Sequence, residues 1–376
     1  MIYLDNAATT LHKPGAVYKA VNRAMRTCAN PGRGGHRASL AAAQTVFQCR
    51  EAAAELFGLT EPERIVFTRN ATEALNLAIK NTLHGGGHAV ISGYEHNSVV
   101  RPLEAMRADG VTYTAAYSPL FDQSKAYEAV RDAIRWDTKC VIINHVSNVF
   151  GFILPVKRID ELCKSRNIPL ILDASQSAGI LDINAAEYDS LSFICCPGHK
   201  GLYGPQGTGI LACCKEYEPY SIIQGGTGSN SMETEQPDFL PDIFESGTLN
   251  TPGIAGLYEG IKFVSGGASA ELYRHERRLL ERLARNLESI KGITVYHDAS
   301  CQIGVLSFTS DKLDPDTLCE LLSEKGFCLR GGMHCAPLAH RSAGTLPHGT
   351  VRASFSAFNR LRDADSLTQT LKFCLI

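Results

Sequence analysis

Short apolar runs rich in β-branched residues recur along the chain, separated by stretches in which apolar residues fall every three or four positions. The runs are Arg64 to Thr68, Ala89 to Ser92, Cys140 to Val146, Leu170 to Asp173, Ser190 to Ile194 and Gly209 to Cys213. Strands alternating with helices in this way predict an α/β fold, a mainly parallel sheet with helices on both faces. A polar, glycine-rich loop from Gly225 to Ser231 follows the last run, and Gly247-Thr248-Leu249-Asn250-Thr251-Pro252 comes soon after. Such punctuation marks a change of domain. Beyond it, Leu272, Leu279, Leu280, Leu283 and Leu287 share one face of a charged helix, ahead of a strand at Gly304 to Phe308 and a helix from Asp316. The expected organisation is a large domain of residues 15–252 and a smaller α+β domain of residues 1–14 and 253–376 that closes over it.

Composition narrows the picture. The 376 residues are 44% hydrophobic and 20% charged, with a formal net charge of -2, so a sizeable core is affordable and no global field draws the chain to nucleic acid or an anionic membrane. Neither is expected as a partner. The 13 cysteines are an odd number without C-x-x-C spacing, which suits neither a disulfide framework nor a zinc ribbon, and no metal is expected. The start lacks a basic, then apolar leader, and no apolar stretch reaches the ~18 residues that span a bilayer. The expectation is a reduced, cytoplasmic protein.

Candidate chemistry gathers where strands end. The segment Cys196-Pro197-Gly198-His199-Lys200-Gly201 leaves an apolar strand in a tight turn, a setting in which a desolvated lysine can form a Schiff base. Asp173 closes the run Leu170-Ile171-Leu172, and at such a strand end it could keep a pyridinium nitrogen protonated. Arg64 to Thr68 leads into Asn70-Ala71-Thr72-Glu73, a strand, turn and helix start able to receive a phosphate. His96 and Asn148 stand at two further strand ends. Singly, each has an ordinary reading: Lys200 a loop lysine, Asp173 and Thr72 helix caps, His96 a structural histidine and Asn148 a turn residue.

Together they carry a resemblance. Tyr3-Leu4-Asp5-Asn6-Ala7-Ala8-Thr9, Asn30 to His36, Asn70 to Ala74, Glu95-His96-Asn97, Ser147-Asn148, Asp173-Ala174-Ser175-Gln176, Gly198-His199-Lys200 and Phe244-Glu245-Ser246-Gly247-Thr248 resemble, in order, the class V enzymes of the fold type I pyridoxal-phosphate group. Leu329 to Pro337, which holds Cys335, and Val351-Arg352-Ala353-Ser354 are similar to the group II cysteine desulfurases, a group that includes selenocysteine lyase-like members. The resemblance implies a homodimer that uses pyridoxal phosphate to take sulfur from L-cysteine, or selenium from L-selenocysteine, and passes it from a persulfide to a protein or small-thiol acceptor.

The same resemblance implies residue roles. Lys200 holds the cofactor covalently, Asp173 pairs its ring nitrogen, and His96 stacks on the ring and takes part in proton transfer. Gln176 and Asn148 bond the phenolic oxygen. Ala71, Thr72, His199 and, from the neighbouring subunit, Thr248 hold phosphate. Arg352, with Asn148 beside it and Arg330 at the mouth, grips the substrate carboxylate. Cys335 is the sulfur-accepting nucleophile, in an exposed, mobile loop beside arginines and His334. Two positions depart from the family pattern: Pro197 replaces a phosphate-binding hydroxyl residue, and Met333 replaces a polar residue before His334-Cys335. A class V aminotransferase or β-lyase in which Cys335 is incidental is the rival enzyme, and a catalytically silent scaffold is the rival outside enzymes. The lone Arg33-Gly34-Gly35 triplet is not taken as an RNA contact, since such segments work as repeats.

Overall fold

The computed structural model describes residues 1–32, 34–216, 220–230 and 232–375. Arg33 and Ser231, which belong to segments singled out above, lie outside the described residues. After a two-residue strand β1 (Ile2–Tyr3) come β2 (Ile65–Thr68), β3 (Gly87–Ser92), β4 (Val111–Ala116), β5 (Thr138–Asn144), β6 (Leu170–Asp173), β7 (Leu191–Pro197) and β8 (Gly209–Cys213). These seven form one sheet in the order β2-β8-β7-β6-β5-β3-β4, in which only β8 runs against its neighbours. Sequence pattern missed β4, whose burial is interrupted because it forms the sheet edge.

Residues 140 to 143 show why the central strands read as unbroken apolar runs. Cys140 and Ile142 enter one core with Ile171, Phe193 and Leu211, while Val141 and Ile143 enter the other with Leu170, Leu172 and Ile194. Side chains alternate sides along a strand, and both sides of this sheet are dry, so no polar face interrupts the sequence.

The smaller unit is built on an antiparallel sheet of β9 (Ile293–Tyr296), β10 (Val305–Ser310) and β12 (Val351–Ser354), with β11 (Phe327–Cys328) paired to β1. Leu279, Leu280, Leu283 and Leu287, one stripe of the helix Ala268–Glu288, pack there with Leu4 from the other end of the chain. The helix Thr251–Val264, assigned by sequence pattern mostly to the smaller unit, instead packs on the helices Gly15–Thr27 and Arg37–Leu56. Its Ile254, Leu257, Ile261 and Val264 join a core of the large sheet. Among the described residues no helix is long and apolar enough to cross a membrane.

Glu276, on the helix Ala268–Glu288, is buried at 4% exposure with no hydrogen bond or ion pair among the described residues. Burial pushes its carboxyl from 4.5 to about 8. The folded state therefore holds this proton to higher pH than the unfolded chain, and stability is lost as pH rises between those values. Glu276→Gln removes that dependence. Denaturant titrations should find the variant close to wild type near about pH 5 and more stable by on the order of 2 kcal/mol at about pH 8.5. An equal difference at both pH values would show that the folded protein holds the carboxyl ionised.

Candidate active site

A cleft of about 200 Å³ opens at the C-terminal ends of the parallel strands and is roofed by the smaller unit. Open α/β sheets receive ligands at this end because the strand-to-helix turns bring polar groups and helix N-termini to one edge. Asp173 arrives at the end of β6, Lys200 in the turn after β7, His96 in the turn after β3, and Ala71 and Thr72 at the head of the helix that follows β2. Asn148, Gln176 and His199 line the same cleft, as do Arg330 and Arg352 from the smaller unit.

Lys200 is half-buried in the cleft, and desolvation lowers its amine from 10.5 to about 8 against the opposing pull of Asp173, with Arg352 and Arg330 lowering it further. The lowered value leaves roughly a fifth of the amine neutral near pH 7.4, far more than an ordinary lysine, and that fraction is a nucleophile and a base. Asp173 is 4% exposed, and burial raises its carboxyl above the ordinary range. Its Oδ1 accepts the Ser175 N–H at 2.9 Å. A buried carboxylate without its own ion pair is suited to a cationic ring nitrogen.

The His96 imidazole is held neutral, its pKa taken down to about 4 by burial and then by Lys200 and Arg330. Its Nδ1 accepts the Ser98 N–H at 3.1 Å, capping the helix Asn97–Ala105 and leaving the ring proton on Nε2. The Ser98 hydroxyl, 2.5 Å from Nδ1, also accepts from Thr72 Oγ1 at 3.3 Å. Ser98 thus joins the helix start to the imidazole, a link that sequence pattern gave no reason to expect.

At the head of Ala71–Leu83, Asn70 takes the Glu73 N–H at 2.9 Å. The N–H groups of Ala71 and Thr72, which no helical turn can satisfy, belong to residues lining the cleft. Pro197 supplies neither donor, and the Gly198 N–H beside it is bonded to Thr208 O at 2.8 Å. An anion here depends on the Ala71–Thr72 turn and His199. Thr248 is not in this cleft. It lines separate clefts, one of them shared with Arg50, Asp242 and Glu245.

Gln176 donates one amide hydrogen to Ala7 O at 3.0 Å, and Asn148 donates one to His334 O at 2.9 Å. Each keeps a second N–H. Asn148 Oδ1 and Arg352 Nε are both buried without a hydrogen-bond partner among the described residues. Orphaned polar atoms beside a cleft are costly unless a ligand completes them.

Cys335 stands apart from the other cysteines. All thirteen are free, and it is the one exposed, the others being buried or half-buried; those at 140, 195, 196 and 213 are sealed in β5, β7 and β8, where burial raises their thiols. Its sulfur lies 3.9 Å from Arg330 Nη2. The loop is more firmly tied than its Gly331-Gly332 start suggests. Asn97 N–H donates to Cys335 O at 2.8 Å, Ala336 N–H to Met333 O at 2.9 Å, and Ala336 is fully buried. His334 and Cys335 hold φ of 48° and 55°, a left-handed backbone that non-glycine residues rarely adopt. His334 does not serve the thiol as expected. Its Nε2 donates to Arg330 O at 3.1 Å, its Nδ1 lies 3.4 Å from His340 Nε2, and His340 Nδ1 lies 2.7 Å from the Thr345 hydroxyl. This buried chain of neutral rings anchors the loop from behind.

The amino-acid sequence from residue 2 to 367 matches the model of the class V aminotransferases. The chain belongs to that family. It is 32% identical to a probable cysteine desulfurase from Methanothermobacter thermautotrophicus, covering 99% of this chain and 94% of the relative. It is 30% identical to a cysteine desulfurase from Vibrio vulnificus, over 99% of this chain and 92% of that one. The apo structure of a cysteine desulfurase from Thermococcus onnurineus superposes with a TM-score of 0.89 at 30% identity, covering 99% of this chain and 94% of that one. The α/β fold expected from the strand pattern, and the fold type I architecture that the resemblance implies, are thereby established for this class V member.

Proposed function

We propose that this protein is a pyridoxal-phosphate-dependent cysteine desulfurase, converting L-cysteine to L-alanine and holding the sulfur as a persulfide on Cys335. The observation that carries the reading is the placement of the one exposed cysteine at the arginine-lined rim of a cleft that contains a desolvated lysine and a buried carboxylate. The residues fit the cofactor: a depressed amine, a buried acid, a helix start for phosphate, and orphaned polar atoms at Asn148 and Arg352. Lys200, Asp173, His96, Gln176, Asn148, Ala71, Thr72 and His199 would hold it, with Thr248 supplied by a second copy in a homodimer. When bound, pyridoxal phosphate supplies an electron sink for the bonds at the substrate Cα.

The chain's own groups do the rest. Arg352 binds the α-carboxylate, and Arg330 raises the positive potential at the mouth. The Lys200 amine takes the proton from the substrate Cα and moves protons back to the carbon fragment. Cys335 Sγ attacks the substrate sulfur as thiolate; the Cβ–S bond breaks, an S–S bond forms, and the carbon fragment leaves as L-alanine. No external oxidant or reductant enters, because cysteine and one thiol yield alanine and one persulfide. A sulfur-acceptor protein or small thiol then removes the terminal sulfur. In this reading the two units divide after Val264, where the helix packed on the large sheet ends.

The test is incubation of the purified holoenzyme with L-cysteine, following alanine and sulfide without an added keto acid. Alanine formation only when a keto acid is present would identify an aminotransferase instead. A parallel run with L-selenocysteine ranks the two substrates. Arg352→Lys should raise the KM for L-cysteine by about tenfold or more while the protein keeps its cofactor, since a point charge cannot reproduce a planar two-bond grip. An unchanged KM would show that another residue holds the carboxylate.

A further inference from the structure

The cationic fork assigned to the substrate carboxylate already holds a carboxylate of this chain. Arg352 is 1% exposed. Its Nη1 donates to Asn148 O at 2.9 Å and its Nη2 donates to Asp5 Oδ1 at 2.6 Å, while Nε–H has no partner among the described residues. Asp5 therefore satisfies the guanidinium through a single bond, where a free carboxylate with both oxygens available can make two parallel ones.

The anchoring of Asp5 is uneven. Its backbone pairs with Ser354, two residues beyond Arg352 on β12, and its carbonyl accepts from the Tyr3 hydroxyl at 3.2 Å and Ala8 N–H at 3.1 Å. Its carboxylate has no other hydrogen-bond partner among the described residues, and the side chain is 20% exposed. Rotation about the side-chain bonds would release Arg352 and move the acid toward water without disturbing β1 or β12. A buried guanidinium left wholly unpaired would be costly, so a monodentate partner keeps it charged and aimed without filling the fork.

We propose that Asp5 is a positioning residue that acts through Arg352: it occupies the guanidinium in the substrate-free enzyme and is displaced by the α-carboxylate of the incoming amino acid, so that it sets the affinity for carboxylate-bearing ligands. The proposal rests on the reading of Arg352 as the carboxylate grip. Asp5 weakens ground-state binding of L-cysteine and L-alanine alike, which favours release of the product. A ligand without the carboxylate does not compete with Asp5 and is indifferent to it.

The experiment uses the holoenzyme in four forms: wild type, Asp5→Asn, Asp5→Glu and Arg352→Lys. Dissociation constants for L-alanine and for cysteamine, the decarboxylated counterpart of cysteine, are measured by spectral titration. Asp5→Asn keeps the shape and one acceptor oxygen but removes the competing charge, so L-alanine should bind about tenfold more tightly, with cysteamine unchanged and the KM for L-cysteine lower. Asp5→Glu keeps the charge and should stay within roughly threefold of wild type for L-alanine. Weaker L-alanine binding in Asp5→Asn, equal tightening of L-alanine and cysteamine, or no change in either would each overturn the proposal. Arg352→Lys separates the two claims: if it leaves L-alanine affinity unchanged, the assignment of the carboxylate grip fails; if it weakens L-alanine while Asp5→Asn changes nothing, that assignment stands and only the role of Asp5 is lost.

Discussion

Cys335→Ser should leave a yellow, folded enzyme that binds L-cysteine but releases sulfur more slowly by on the order of a thousandfold, because a serine hydroxyl at neutral pH is a poor nucleophile toward divalent sulfur. Exposure argues that the protein will tolerate the change: the side chain is exposed, and among the described residues its sulfur is hydrogen-bonded only to Arg330. Lys200 and Arg352 are untouched, so cofactor and substrate binding should survive. Turnover of L-selenocysteine should fall far less, since selenium is the better leaving group and needs less help. Mass spectrometry of wild type after exposure to L-cysteine should place one added sulfur on the peptide containing Cys335. The sealed cysteines should carry none, having no path to the substrate. Full cysteine turnover by Cys335→Ser, or a persulfide found on another cysteine, would overturn the mechanism through Cys335 and leave only the weaker claim of a class V pyridoxal-phosphate enzyme.

Lys200→Ala should abolish turnover, a loss of at least about 10³-fold, because in the proposed reaction one side chain is both the covalent anchor and the base at the substrate Cα. The fold should persist. Alanine removes a buried amine whose charged form is disfavoured by its surroundings, so the core loses no apolar contact of consequence. Absorbance of the bound cofactor near the visible should disappear, and borohydride should no longer fix the cofactor to the protein. The pH dependence has a definite direction. With its amine lowered to about 8 by burial, Lys200 in the cofactor-free protein should react with an added aldehyde increasingly as pH rises to that value and level off above it. A midpoint near the ordinary lysine value would show that water reaches the amine. Cofactor fixed by borohydride to a different lysine in the variant would move the site.

The two substitutions fail at different stages, and this distinguishes them from general damage. Cys335→Ser keeps the binding step and loses sulfur transfer, while Lys200→Ala loses the covalent anchor itself. A scaffold with no chemistry would be insensitive to both. An aminotransferase would be sensitive to Lys200 alone.

The strands of the large sheet were legible in sequence because burial on both faces leaves long apolar runs, and Leu170–Asp173 and Gly209–Cys213 were placed to the residue. The edge strand Val111–Ala116 was not, since one-sided exposure breaks the run with polar residues. The helix Thr251–Val264 shows a second limit. Sequence pattern placed residues from 253 onward in the smaller unit without marking a helix there, and the unit this helix is buried against depends on helices more than 190 residues earlier. Residue types at strand ends made Lys200, Asp173, His96, Thr72 and Asn148 candidates, because local sequence fixes where a strand stops and what chemistry follows it, whereas Arg352 and Cys335 became candidates only through the family resemblance of their segments.

Sequence alone thus determined the α/β class and the strand-end candidates, which follow from local periodicity, and the family and the remaining candidates, which follow from the ordered resemblance of short motifs spread from Tyr3 to Ser354. Tertiary structure decided which of these groups meet, how far each is removed from water and what each already holds. Desolvation of Lys200, the neutral tautomer of His96 and the exposure of Cys335 among thirteen cysteines depend on packing from several elements at once. His334, adjacent to Cys335 in sequence, turns away to His340, while Asp5, 347 residues from Arg352, reaches its guanidinium. The physical reason is the same in both cases: proximity along the chain fixes only the backbone path, whereas the direction and pairing of a buried polar group are set by whichever distant partner satisfies it at least cost.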